Sequence, residues 1–119
     1  MYVLVTGGRN NRNEHSLWTC LDALHVGTLG PIECLVQGGA SGTDSMAHRW
    51  AELNQVPCST FHAEWVVHGK RAGPIRNQQQ VDYVAEHPPA ICVAQAGGKG
   101  TADCVAKARA AGIRVIEIP

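Results

Sequence analysis

Three times in this chain a short apolar run ends at a glycine-rich turn that opens a helical pattern, and this repetition restricts the fold more than any other feature. Residues 2–6 lead into Gly7-Gly8-Arg9, and residues 33–37 lead into Gly38-Gly39-Ala40-Ser41-Gly42-Thr43-Asp44. The run that starts at Ala90 leads into Gly97-Gly98-Lys99-Gly100-Thr101, followed by a helical pattern over residues 102–111. Strand, glycine turn and helix in succession make an anion site. Glycine lets a ligand approach the backbone, and the first helical turn carries N–H groups without partners at the positive end of the helix dipole. For any one turn, glycine that merely eases a tight bend is the alternative. Three such turns in so short a chain argue for a shared purpose.

Strands are expected at residues 2–6, 33–37, 58–61, 90–94 and 114–118, mostly as short apolar runs rather than alternating ones. Such runs suit strands covered on both faces, the parallel arrangement with helices above and below. Between them, Leu17, Leu21 and Leu24 recur at helical spacing, and so do Met46, Ala47, Trp50 and Ala51, with Thr43 or Asp44 available as the cap. A third helix can begin at Pro74, with Val81, Val84 and Ala85 as its apolar face; a fourth packs Val105 and Ala108 and stops at Gly112. Strict alternation of strand and helix implies a parallel sheet with right-handed crossovers. In the doubly wound order 3-2-1-4-5, strand one is central and all three glycine turns emerge on one edge. The first and last then flank the crevice where the winding reverses, which is where such sheets bind ligands. The expected fold class is α/β, one three-layer domain over residues 1–119.

A chain of 119 residues buries most of its apolar surface without metal or disulfide support. Ten Lys and Arg balance ten Asp and Glu with no basic run, which argues against duplex nucleic acid as the partner. Aromatic residues at 5% argue equally against a single-strand platform. Cys20, Cys34, Cys58, Cys92 and Cys104 lack metal-ligand spacing and read as small buried hydrophobes, and the histidines form no His-x-x-x-His pair, so neither metal nor other cofactor is expected. The odd cysteine count and the early charged helix suit a reducing cytoplasm rather than secretion. No apolar stretch is long enough to span a bilayer.

Gly98-x-Gly100 is not a dinucleotide fingerprint, because Asp103 stands where the third glycine belongs, and Gly69-Lys70 is followed by Arg71 rather than the Ser or Thr of a nucleotide triphosphatase loop. Between Glu64 and Gln80 the chain carries Lys70, Arg71 and Arg76 on what reads as a loop ending at a helix start, one place from which a phosphate is held from above. Asn77 and Gln78 fall at helical spacing from Val81, Val84 and Ala85, hence on the inward stripe. Inward polar groups need partners, either a ligand at the crevice or a network within the protein. Trp65 reads as a core residue, with stacking on a base as the alternative.

Taken together, Gly7-Gly8-Arg9, the turn from Gly38 to Asp44, Gly73-Pro74-Ile75-Arg76-Asn77 and Gly97-Gly98-Lys99-Gly100-Thr101-Ala102-Asp103 resemble the DUF2493 family. That family lies in the SLOG superfamily with the Lonely Guy phosphoribohydrolases and the DNA-processing protein A core. The resemblance covers nearly the whole chain and implies a Rossmann-like fold that binds a nucleotide or nucleotide-derived ligand. It also implies association through helices as a homodimer. Where Lonely Guy enzymes carry Gly-Gly-x-Gly-Thr-x-x-Glu, with a catalytic glutamate last, this chain has Cys104. A thiol does not replace a carboxylate that stabilises an oxocarbenium-like transition state.

The leading expectation is therefore a binding module, with phosphate on the Gly97–Thr101 turn and Gly7, Gly8, Gly38, Gly39, Ser41, Gly42 and Thr43 in support. Arg9, Lys70, Arg71, Arg76 and Lys99 would neutralise the charge, and Asn77 would orient the ligand. The alternative is cleavage of an N-glycosidic bond of a nucleoside monophosphate by Asp44, Glu64 or Asp103 in place of the family glutamate. Asp44 serves equally well as a helix cap.

Overall fold

Successive side chains of a strand point to opposite faces, so Val3, Leu4 and Val5 can all be buried only where both faces are covered. These residues lie in β1 (Tyr2–Thr6). In the computed structural model, which covers Met1–Pro119, β1 is the centre of a five-stranded parallel sheet ordered β3-β2-β1-β4-β5. Val3 lies opposite Leu35 of β2 (Cys34–Gln37) on one side and Ile91 of β4 (Ala90–Gln95) on the other. The edges are β3 (Cys58–Thr60) and β5 (Arg114–Ile118). The expected α/β class and strand order are both present.

Two helices cover each face. Leu17 and Leu21 of α1 (Glu14–Val26) and Met46, Ala47 and Trp50 of α2 (Thr43–Leu53) pack with Val3 and Val5. On the other face, Val81 and Val84 of α4 (Ala72–Ala85) and Cys104 and Ala108 of α5 (Lys99–Ala110) pack with Leu4 and Cys92. Each buried Leu or Val contributes about 1.5–3 kcal/mol, and these apolar stripes hold the three layers together. Trp50 is buried with its indole N–H satisfied, donating to Asp22 Oδ1 at 2.8 Å. No helix is long and apolar enough to cross a membrane.

Element ends depart from expectation in instructive ways. α4 starts at Ala72, ahead of Pro74, because the first-turn N–H groups have no helical partner and proline loses nothing there. α5 starts at Lys99, so Gly100 and Thr101 lie within its first turn. The expected stop after α5 is present: Gly112 has φ +77° and Ile113 N–H donates to Ala108 O at 3.0 Å. The expected cap of α2 is not; its N-cap is Gly42, without a side-chain cap bond. The stretch expected to be a loop holds α3 (Trp65–His68) and a 3-10 turn (Gly69–Arg71), too short to leave a periodic signal.

Gln78 is also corrected. It is exposed and donates to Asp82 Oδ1 at 2.9 Å, while the buried stripe of α4 runs Asn77, Gln80, Val81, Val84. Ala85, expected on the apolar face, is exposed; one step along a helix turns a side chain by about 100°.

Candidate functional site

Because all five strands are parallel, the three glycine turns meet at one sheet edge, on the strands β2, β1 and β4 that lie side by side. Close backbone approach knits them. Gly8 N–H donates to Ala96 O at 3.0 Å, and Thr43 N–H donates to Gly8 O at 3.2 Å. Asn11 Nδ2 reaches both Thr43 Oγ1, at 2.9 Å, and Ala96 O. Thr43 Oγ1 donates to Gln95 Oε1 at 2.7 Å, and Gln95 Nε2 donates to Asn13 O at 2.9 Å. A polar residue closing an apolar strand run just before a glycine turn, as Gln37 and Gln95 do, was the available sign of this network.

Beside the knot lies a cleft of about 840 Å³. Its walls include Gly7 to Asn11, Gly38 and Ala40, the start of α4, and the whole Gly97–Thr101 turn. Of the expected site residues, Gly7, Gly8, Arg9, Gly38, Asp44, Arg76, Asn77, Gly97, Gly98, Lys99, Gly100, Thr101 and Asp103 face this one cavity. Gly39 and Ser41 line a shallower hollow beyond the second turn, and Gly42 lines another with Ser41. Thr43 is fully buried. Lys70, Arg71 and Glu64 lie outside the cleft wall, carried away on α3 and the 3-10 turn.

The turns differ in what their amides have left to give. In the second turn, Gly38 and Ala40 N–H groups both donate to Asp44 Oδ2 at 3.2 Å, and Gly39 N–H donates to Gln37 Oε1 at 2.6 Å. A carboxylate of the chain thus already occupies the cradle expected to support a phosphate. In the first turn, Gly8 N–H is committed to Ala96. The last turn is open: Gly97 and Gly98 N–H groups have no acceptor in the protein, and those of Lys99, Gly100 and Thr101 lie in the first turn of α5, where no helical carbonyl reaches them.

Charges at the cleft follow the same division. Burial pushes the Asp44 carboxyl up, against the two amide bonds and the nearby Arg76 and Arg9. For Asp103 partial burial acts in the same direction but is outweighed by hydrogen bonds from Lys107 and Asn77, which hold its carboxyl below the usual range. Lys107 Nζ sits 2.6 Å and 2.7 Å from the two Asp103 oxygens. Arg76 Nη1 donates to Gly38 O at 2.7 Å and Phe61 O at 3.3 Å, and Nε donates to Asn77 Oδ1 at 3.2 Å. It locks α4 to the second turn as well as facing the cleft, so removing it would weaken the fold, contrary to a purely ligand-facing role. Asn77 is buried with Nδ2 donating to Gly100 O at 3.1 Å and Asp103 Oδ2 at 3.0 Å, which is the internal network weighed against a ligand contact.

Two residues change character in the structure. Trp65, read as core, is 49% exposed and forms part of the cleft wall, with Arg9 Cζ 6.0 Å from its ring centroid. An isolated tryptophan on a four-residue helix has no periodic context from which to tell these roles apart. Gln80, which no motif marks in the sequence, is 2% exposed and also faces the cleft. Cys104, at the position of the family glutamate, is fully buried in the same core cluster as Cys92, whose thiol is pushed up by the Cys104 thiol and by burial.

Comparison with known proteins gives two findings. The family YAcAr, described as the YspA, cpYpsA-related SLOG family, matches residues 1–68. The gene 61 protein of Mycobacterium phage D29 is 38% identical over 122 aligned residues, which cover 96% of this chain and 93% of the phage protein.

Proposed function

This chain belongs to the YspA, cpYpsA-related SLOG family, and on that premise we propose that its cleft binds a nucleotide or nucleotide-derived phosphorylated ligand, with phosphate on the Gly97–Thr101 turn. The observation that carries this reading is the row of unpartnered amides at the N-terminus of α5, facing a cleft of about 840 Å³. Amides and helix dipole together favour an anion, and Arg9, Arg76 and Lys99 add positive charge around it. Trp65 offers an aromatic face at the rim for a base. A volume of this size falls within the ordinary range of small-molecule sites, about 300–1,000 Å³. The protein is read as cytoplasmic and as a homodimer, for which native mass spectrometry of protein taken from cells reports assembly and any retained nucleotide together.

Isothermal titration with AMP and with adenosine tests the phosphate assignment. Two charge-assisted contacts predict AMP binding roughly a hundredfold tighter or more. Equal affinity for the two would remove the assignment.

A second reading, cleavage of the N-glycosidic bond of a nucleoside monophosphate, is favoured by one observation: Asp44 faces the cleft with its carboxyl pushed up by burial, as a proton donor to a leaving base requires. Asp103 also faces the cleft but is engaged with Lys107 and Asn77, and Glu64 is outside it. Under this reading purified protein releases free base from nucleoside monophosphates, and Asp44→Asn, which keeps an oxygen for the two backbone amides, lowers the rate at least about a hundredfold in protein that is still folded at the assay temperature. Chromatography for free base decides it; no release from any of the four common monophosphates leaves binding alone.

A further inference from the structure

The side-chain amide of Gln80 is anomalous. The residue is 2% exposed, its Nε2 is buried without any hydrogen-bond partner, and it sits on the cleft-facing stripe of α4 one turn beyond Asn77. An apolar residue such as Leu or Met would fill that place without loss, because a buried amide left unsatisfied costs stability. Every neighbouring polar group with a structural task has its partners. Asn77 is satisfied by Gly100, Asp103 and Arg76, and Gln95 by Thr43, Asn13 and Pro119. Gln80 alone among the buried amides facing the cleft is left without a bond inside the protein.

We propose that Gln80 is a specificity-determining residue that donates its amide N–H to an oxygen of the anionic ligand held at α5. The inference rests on the phosphate reading of the cleft and names the group that reads the anion from the α4 side. Donation rather than acceptance follows from what else faces the cavity. Of its two carboxylates, Asp103 is held by Lys107 and Asn77 and one oxygen of Asp44 by backbone amides, while the Gly97 and Gly98 amides and the cations Arg9 and Lys99 are unpartnered donors. A ligand that fits is therefore rich in acceptors. The terminal torsion of a glutamine is broad and nearly two-fold, and with no bond to hold it the Gln80 amide turns its NH2 toward the cleft when an acceptor arrives. Being neutral, it adds a directed hydrogen bond without adding charge, which selects the position of an oxygen rather than the mere presence of an anion.

Nitrogen-15 NMR of the purified protein during titration with AMP, and separately with inorganic phosphate, tests this. The expected result is that the Gln80 side-chain NH2 resonances move in step with the Gly98 backbone amide. Gln80→Met is expected to raise the melting temperature by roughly 3–6 °C and to weaken AMP binding about tenfold to a hundredfold. Gln80→Glu, which sets a carboxylate in the same space, is expected to weaken it further. Movement of Gly98 without Gln80, unchanged AMP affinity in Gln80→Met, or a lowered melting temperature for that variant would each overturn the inference while leaving the phosphate site standing. If neither resonance moves with AMP or phosphate, the site and the inference fail together.

Discussion

Gly98→Val is expected to melt within about 2 °C of the natural protein and to bind AMP at least about a hundredfold more weakly. A Cβ built at Gly98 meets no atom within 4 Å, so the first carbon of a side chain projects into open space and displaces nothing that holds the fold. Gly98 is also part of the cleft wall. The same residue is the N-cap of α5, directly ahead of the first-turn amides of Lys99, Gly100 and Thr101, residues that line the cavity. Valine methyl groups would occupy the volume in which an oxygen must sit about 2.9 Å from those N–H groups. Two charge-assisted hydrogen bonds lost in this way amount to about 3–6 kcal/mol, and the melting temperature is untouched because the free protein makes neither of them. Thermal melting and calorimetry with AMP check both halves. Unchanged affinity would place the phosphate elsewhere.

The contrast between Gly98 and its neighbours marks how far the sequence could be read. The parallel α/β class was legible because Val3, Leu4 and Val5, like Ile91 to Ala94, form runs that only a doubly covered sheet can bury, and because strands and helical patterns alternate along the sequence; the order 3-2-1-4-5 rested on the doubly wound rule. The glycine turns were legible as turns. Which of their amides stay unpartnered was not, since that depends on groups brought in by the fold: Ala96 O takes the Gly8 N–H, and the Asp44 carboxylate takes two N–H groups of its own turn. Glycine at the second turn therefore serves close packing, with a Cβ at Gly38 overlapping Arg76 Nη1. Phase errors had a different origin. Alanine sits as comfortably on a wet face as in a core, so phasing α4 by Ala85 turned Gln78 inward and hid Gln80. Asn77 and Gln80 occupy adjacent turns of one buried stripe and are identical in sequence logic; only the atoms around them separate the satisfied amide from the unsatisfied one.

Gly97→Ala, one residue from the tolerant position, is expected to destabilise the protein by about 3 kcal/mol, a fall in melting temperature of roughly 10–15 °C. A Cβ at Gly97 would overlap Thr101 Oγ1, which folds back from the first turn of α5, and would lie 2.8 Å from the backbone nitrogen of Gly8. Thr101 can rotate away at modest cost. Gly8 cannot, because its nitrogen belongs to the turn after β1 and donates to Ala96 O at 3.0 Å. To make room, the two turns must separate, which breaks that bond and the Asn11 contact to Ala96. Buried polar groups left unpaired add to the cost of overpacking. The double variant Gly97→Ala with Thr101→Ala removes only the hydroxyl overlap, and most of the loss should remain because the approach to the Gly8 nitrogen and to the Cβ of residue 101, at 2.9 Å, is unchanged. Denaturant melts of the two variants beside Gly98→Ala check the whole comparison. Equal stability for Gly97→Ala and Gly98→Ala would mean that the turns after β1 and β4 are not wedged together, and the rigid edge on which the unpartnered amides depend would be lost with them.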